Sequence, residues 1–151
     1  MKRFQELVNC LARWTGVARD ALPLRDVPAA LIAQADKRGL SKISYYSSEF
    51  LIFITWQEET AEKAQKTLGG SNTLCNTDLG KIEGKLPNVL REMIDRAFKI
   101  EHTTCWLRAT GCFAFITWNE KTAKKARKAL SKAKLTDQNI FNVPSVKLPL
   151  H

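Results

Sequence analysis

Phe53-Ile54-Thr55-Trp56 returns 62 residues later as Phe115-Ile116-Thr117-Trp118. The match runs on past the tetrapeptide. Residues 53–68 read FITWQEETAEKAQKTL and residues 115–130 read FITWNEKTAKKARKAL, with eleven of sixteen positions identical. Self-similarity at a fixed offset points to one supersecondary unit used twice. The expected fold follows from asking what that unit is.

In the first copy, Pro28 is placed for the first turn of a helix that runs to Arg38, and Gly39 for its C-terminal stop. Lys42–Ser47 (KISYYS) and Phe50–Trp56 (FLIFITW) are rich in β-branched and aromatic residues, which predicts two strands turning at Ser47-Ser48-Glu49. The second of them is apolar at nearly every position, as in a strand covered on both faces. A helix over 57–68 follows, with Ala61, Ala64 and Leu68 on one side and Glu58, Glu59 and Glu62 in its early turns. In the second copy, Pro87 opens a helix over 88–98 that buries Leu90, Met93, Ile94 and Ala97. Strands are expected over 100–108 and 112–118, and a helix over 119–133 turns Ala123, Ala126, Ala129, Leu130 and Ala133 inward.

The organisation read from the sequence is a helix and connection at 1–27, repeat 1 at 28–70, a linker at 71–86, repeat 2 at 87–133 and a tail at 134–151. The first segment places Phe4, Leu7, Val8, Leu11 and Trp14 at helical spacing. A short strand is expected near 81–83 of the linker and an edge strand near 145–148 of the tail. A unit of two strands cannot bury both its faces alone. The expected fold class is therefore α+β, with two helix–strand–strand–helix units sharing a sheet about a pseudo-two-fold axis and helices covering one face.

Composition bounds the function. The chain has 151 residues, 44 % apolar and 26 % charged, which is ordinary for a globular domain. No apolar run reaches the ~20 residues that span a bilayer, and Met1-Lys2-Arg3-Phe4 does not open a signal peptide. Cys10, Cys75, Cys105 and Cys112 form no CxxC pair, so free thiols and a cytoplasmic location are expected. His102 and His151 are the only histidines, and neither belongs to a catalytic or zinc-binding pattern. Asp78 and Glu83-Gly84-Lys85 resemble an acidic-x-Lys arrangement that can hold magnesium, but their glycine-rich setting reads as a linker. No catalytic residue, metal or cofactor is expected, and the chain is read as non-enzymatic.

The net charge of +9 calls for an acidic partner: nucleic acid, an acidic protein or an anionic membrane surface. Its distribution is informative. Residues 119–134 carry Lys121, Lys124, Lys125, Arg127, Lys128, Lys132 and Lys134 against Glu120, a net of +6. The matching helix over 57–68 carries Lys63 and Lys66 against Glu58, Glu59 and Glu62, a net of −1. Lys121, Lys124, Lys128 and Lys132 fall on one helical stripe. These seven basic residues are the expected nucleic-acid contacts, made through phosphate. The alternative is a protein-interaction module, such as an adaptor, inhibitor or immunity-type protein, whose basic face meets an acidic protein. Tyr45, Tyr46 and Trp106 are candidate stacking or interface aromatics, because neighbouring strand residues point to opposite faces. Trp56 and Trp118 are expected to plug the end of the core where strand becomes helix, the alternative being an exposed platform on which a nucleobase stacks.

The second repeat with its tail runs helix, strand, strand, helix, strand, an order that resembles a KH-like fold. Residues Cys105 to Ile116 (CWLRATGCFAFI) resemble the hairpin of the KH-like domain in DciA-type bacterial replicative-helicase loaders. Ala123-Lys124-Lys125-Ala126-Arg127 is similar to the small-x-x-apolar-Arg step on that family's following helix. The resemblance covers about residues 87–149 and implies a basic DNA-binding protein that contacts a helicase. The GxxG loop with which KH domains clamp RNA is not present in this sequence.

Overall fold

The computed structural model describes residues 21–68, 75–78, 84–136 and 139–150. The helix expected over 2–14 and the strand expected over 81–83 lie outside the described residues. The elements in chain order begin with β1 (Leu22–Pro23), a 3-10 turn (Leu24–Asp26) and α1 (Val27–Lys37). There follow β2 (Lys42–Tyr46), β3 (Leu51–Thr55), α2 (Glu58–Leu68) and β4 (Cys75–Asp78). The chain continues through α3 (Leu86–Lys99), β5 (Thr104–Ala109), β6 (Cys112–Thr117), α4 (Glu120–Lys132) and β7 (Val146–Lys147). The class is mixed α+β. No helix among the described residues is long and apolar enough to cross a membrane.

Five strands form the main sheet in the order β2-β3-β6-β5-β4. The first four are antiparallel and β4 is parallel to β5. β3 and β6, which carry the repeated tetrapeptide, are neighbours at the centre, and Phe53 lies opposite Phe115. The hairpin registers differ by the offset of the sequence match. Lys42 faces Thr55 and Tyr46 faces Leu51; Thr104 faces Thr117 and Arg108 faces Phe113. Adding 62 to either residue of a β2–β3 pair gives a β5–β6 pair, and the β3–β6 pairing maps onto itself.

Side-chain alternation along β3 and β6 divides the core in two. Ile52, Ile54, Ala114 and Ile116 join one buried cluster with α1 (Val27, Leu31, Ile32, Ala35) and α3 (Leu90, Met93, Ile94, Ala97). Leu51, Phe53, Phe113 and Phe115 join the other with α2 (Ala61, Ala64, Leu68) and α4 (Ala123, Ala126, Leu130). The helices therefore cover both faces of the sheet, not one as the two-strand argument suggested. The continuous apolar run Leu51–Ile54 already required this, since each face of a strand takes alternate residues. On the second face the large rings come from the sheet and the small residues from the helices, so α2 and α4 lie flush against it.

The Thr-Trp half of the tetrapeptide makes each strand-to-helix corner. The Thr55 hydroxyl donates to the Ser41 carbonyl at 3.0 Å and accepts from the Gln57 N–H at 3.4 Å. The Thr117 hydroxyl donates to the Thr103 carbonyl at 3.1 Å and accepts from the Asn119 N–H at 3.2 Å. The same two carbonyls accept from the N–H groups of Trp56 and Trp118. Asn119 then caps α4 by accepting from the Thr122 N–H at 3.0 Å. Trp118 is buried and Trp56 half-buried against the first cluster, as core plugs should be.

Three boundaries differ from the sequence reading. Strand β5 begins at Thr104 instead of residue 100, because α3 runs to Lys99 and the chain reverses at Glu101, whose φ is +60°. The segment read as linker contributes β4 at 75–78, paired Cys75 to Cys105 through Asp78 to Arg108. The tail strand exists as β7, but it pairs with β1 in a separate two-stranded sheet. Gln34 pins this tail, donating to the Asn142 carbonyl at 2.6 Å and accepting from its N–H at 2.8 Å, while Arg38 lies 5.3 Å over the Phe141 ring.

Phe53 is fully buried where the two hairpins meet. Phe53→Ala is expected to destabilise the whole chain by about 3–5 kcal/mol in urea unfolding monitored by circular dichroism. A loss confined to a few tenths would contradict a core shared by the two hairpins.

Candidate nucleic-acid interface

Helices α2 and α4 lie side by side on one face of the sheet and have corresponding seats. Position by position, Ala61, Ala64 and Leu68 match Ala123, Ala126 and Leu130, all buried. The outward positions diverge. Glu59, Glu62 and Gln65 of α2 correspond to Lys121, Lys124 and Arg127 of α4, while Lys63 and Lys66 correspond to Lys125 and Lys128. The buried residues match while these three positions differ in charge, and two of them, Gln65 and Arg127, make contacts of their own with the sheet.

All seven expected basic residues, Lys121, Lys124, Lys125, Arg127, Lys128, Lys132 and Lys134, are exposed. Among the described residues, Lys121, Lys125, Lys128 and Lys132 have no carboxylate partner, and Lys124 has Glu120 at 3.9 Å, one turn back. A pair so exposed is worth little in water. Lys134 takes the left-handed conformation just past α4, with φ of +59°, where glycine is the usual occupant. Its N–H donates to the Ser131 carbonyl, and the Leu135 N–H to that of Leu130, which closes the helix and returns Leu135 to the core.

Arg127 is held apart from the stripe. Its guanidinium lies 3.9 Å over the ring of Tyr46 on β2. The corresponding place beside α2 is built differently. There the cation is on the strand: Arg108 of β5 donates to Gln65 at 2.8 Å and to both carboxylate oxygens of Glu58, at 3.3 and 2.6 Å. Arg108 also donates to the backbone carbonyls of Ala109 and Cys112. The Glu58 carboxylate accepts from the Gly111 N–H at 2.6 Å, where a φ of +77° in the hairpin turn suits glycine. The Arg108–Glu58 pair is half-sheltered, with side-chain exposures of 13 % and 48 %, and it ties α2 to the tip of the second hairpin. Neither lock could be read from the sequence, because each joins residues on separate elements.

The candidate aromatics are not free platforms. Trp106 is buried in the second cluster, 6.2 Å from Phe113, because its strand position faces the helices. The stacking role expected of it does not survive that placement. Tyr46 is half-buried beneath Arg127. Tyr45 packs on the first cluster 5.8 Å from Phe50, and burial pushes its hydroxyl pKa upward.

Other chemistry is sparse. Cys105 and Cys112 are buried thiols, and burial pushes Cys112 to about 11, against a smaller opposing effect of Arg108. Among the described residues no group of three His, Cys, Asp or Glu could hold a metal ion. The magnesium-like pattern has its Asp78 on β4, and Glu83 lies outside the described residues. An apolar groove of about 390 Å³, lined in part by Leu24, Ile94, Phe98 and Leu148, opens beside α3, away from the basic helix. Comparison with protein-family models, with curated proteins and with solved structures finds no match for this chain.

The Arg108 lock has a pH signature. Its hydrogen bonds, with that of Gly111, hold the Glu58 carboxyl below its ordinary 4.5, and Arg25 holds Asp95 below its ordinary 3.8. The unfolded chain therefore binds more protons through the acid range. The stability from both pairs is present above about pH 5 and is lost as pH falls through the depressed folded values. Glu58→Gln is expected to lower stability at neutral pH and to flatten the acid limb of the stability curve, measured by urea unfolding from neutral to acid pH. An unchanged acid limb would show that the pair contributes nothing.

Proposed function

We propose that this chain is a non-enzymatic nucleic-acid-binding protein whose two halves are diverged copies of one unit, and that α4 of the second half is its contact with the phosphate backbone. One observation carries this reading. Two helices with matching buried residues, on one face of one sheet, differ at four matched positions, and three of those differences add positive charge to α4. A helix kept basic only for solubility would give no reason for its counterpart to stay slightly acidic. Among the described residues Lys121, Lys125, Lys128 and Lys132 have no carboxylate partner and Lys124 has only the exposed Glu120 at 3.9 Å, so their charge is available to an external polyanion, whose bound counterions they would release. The likeness of Cys105–Ile116 and Ala123–Arg127 to the hairpin and following helix of DciA-type helicase loaders points the same way, although β7 pairs with β1 and so does not complete a KH-like sheet.

Lys121→Glu, Lys124→Glu and Lys128→Glu together are expected to abolish binding to a labelled oligonucleotide in fluorescence anisotropy, leaving the circular dichroism spectrum and unfolding midpoint nearly unchanged. The fold survives because these side chains point away from the sheet, and exposed substitutions usually shift stability by under about 0.5 kcal/mol each. Lys63→Glu with Lys66→Glu on α2 is the control and leaves binding largely intact. If the wild type binds no DNA or RNA at low salt, the nucleic-acid reading fails and an acidic protein becomes the partner to seek.

A further inference from the structure

A protein can read a polynucleotide in three ways: at base edges, by stacking on bases, or by backbone charge. The surroundings of α4 separate them. Reading base edges takes side chains matched to them, Arg or Lys for guanine, Asn or Gln for adenine, Asp or Glu for cytosine. Helix α4 is seated against the sheet through Ala123, Ala126 and Leu130 and flanked by α2 on the same face. Its exposed side chains are lysines with Glu120, Arg127 and Ser131, so it offers no Asn or Gln to a base.

Among the described residues stacking lacks its platform: Tyr46 has the Arg127 guanidinium 3.9 Å above its ring, and Trp106 is buried. The large apolar side chains exposed among the described residues are Ile100, Ile140 and Leu150; none is aromatic and none lies on α4. The same contact turns Arg127, the one guanidinium on α4, toward β2, so the lysine stripe itself lacks the side chain best shaped for a paired grip on guanine.

Backbone charge remains. Lys124, Lys128 and Lys132 recur at intervals of about 6 Å, and the stripe from Lys121 to Lys132 is about 16 Å long. A duplex presents a negative charge about every 1.7 Å of its axis, twice the linear density of one of its strands. We infer that α4 grips the phosphodiester backbone of double-stranded nucleic acid by charge alone, without preference for base sequence, and that duplexes are favoured over single strands. This rests on the nucleic-acid reading above and narrows it to a substrate class and a mode of contact.

The test measures affinity of the full chain by fluorescence anisotropy for two DNA duplexes of equal length and unrelated sequence, one constituent single strand, and an RNA duplex of matched length, across a salt series. Four to six contacting lysines predict a slope of log affinity against log salt between about −3.5 and −5.5 on the DNA duplexes. The three duplexes are expected to agree within about threefold and to bind more tightly than the single strand. A preference above about tenfold for one DNA sequence, or for DNA over RNA duplex, overturns the charge-only mode while leaving nucleic-acid binding in place; unrelated sequences differ at many base pairs, and each lost specific contact would typically change affinity by about 5- to 150-fold. Tighter binding of the single strand likewise overturns the inference. If no polynucleotide binds at any salt concentration, the nucleic-acid reading fails with it.

Discussion

The structure depends on the pairing of β3 with β6. It places Phe53 opposite Phe115 and joins two hairpins, each with too little surface to bury alone, into one sheet with two apolar faces. Every helix is seated by that pairing. The odd side chains of β3 and β6 form the floor for α2 and α4, and the even ones form the floor for α1 and α3. A slip of one residue would exchange the floors and set the rings of Phe53, Phe113 and Phe115 against helices packed for isoleucine. The rings and alanines of one face, and the aliphatic residues of the other, thus specify a single register.

Equivalent seats do not force equivalent surfaces. Beside α2 a cation on the strand, Arg108, reaches up to Gln65 and Glu58. Beside α4 a cation on the helix, Arg127, reaches down to Tyr46. Each lock holds its helix to the adjacent hairpin with one guanidinium, from opposite sides of the contact. The exchange has an electrostatic consequence. Glu58 is consumed by its lock, whereas Glu120 is left with only a distant lysine, and the remaining lysines of α4 face water. Both helices keep their packing residues, so the proposed division of labour costs the core nothing.

Much of this was legible from the repeat. The strands, the helix following each Trp and the inward alanines follow from residue type and spacing, and the Leu51–Ile54 run signalled a strand covered twice. The helices' presence on both faces was missed by considering one unit at a time, because the second floor exists only when β3 and β6 lie together. Strand β4 was missed because CNTD has weak strand character; its place beside β5 comes from the sheet edge, not from its own composition. The basic stripe could be read directly, since exposure follows from helical period. The burial of Trp106 and the covering of Tyr46 could not, because both depend on which face of a hairpin receives a helix.

The central claim is that two equivalent seats differ in function through outward charge alone, and transplanting that charge tests it most directly. In a chain weakened by Lys121→Glu and Lys124→Glu, the substitutions Glu59→Lys and Glu62→Lys would put lysines at the corresponding places on α2, beside Lys63 and Lys66. The account predicts that affinity for duplex DNA, measured by anisotropy at low salt, returns to within about tenfold of the wild type, with a salt slope to match. A folded protein that still does not bind would contradict it, and would show that α4 offers something its counterpart lacks beyond charge.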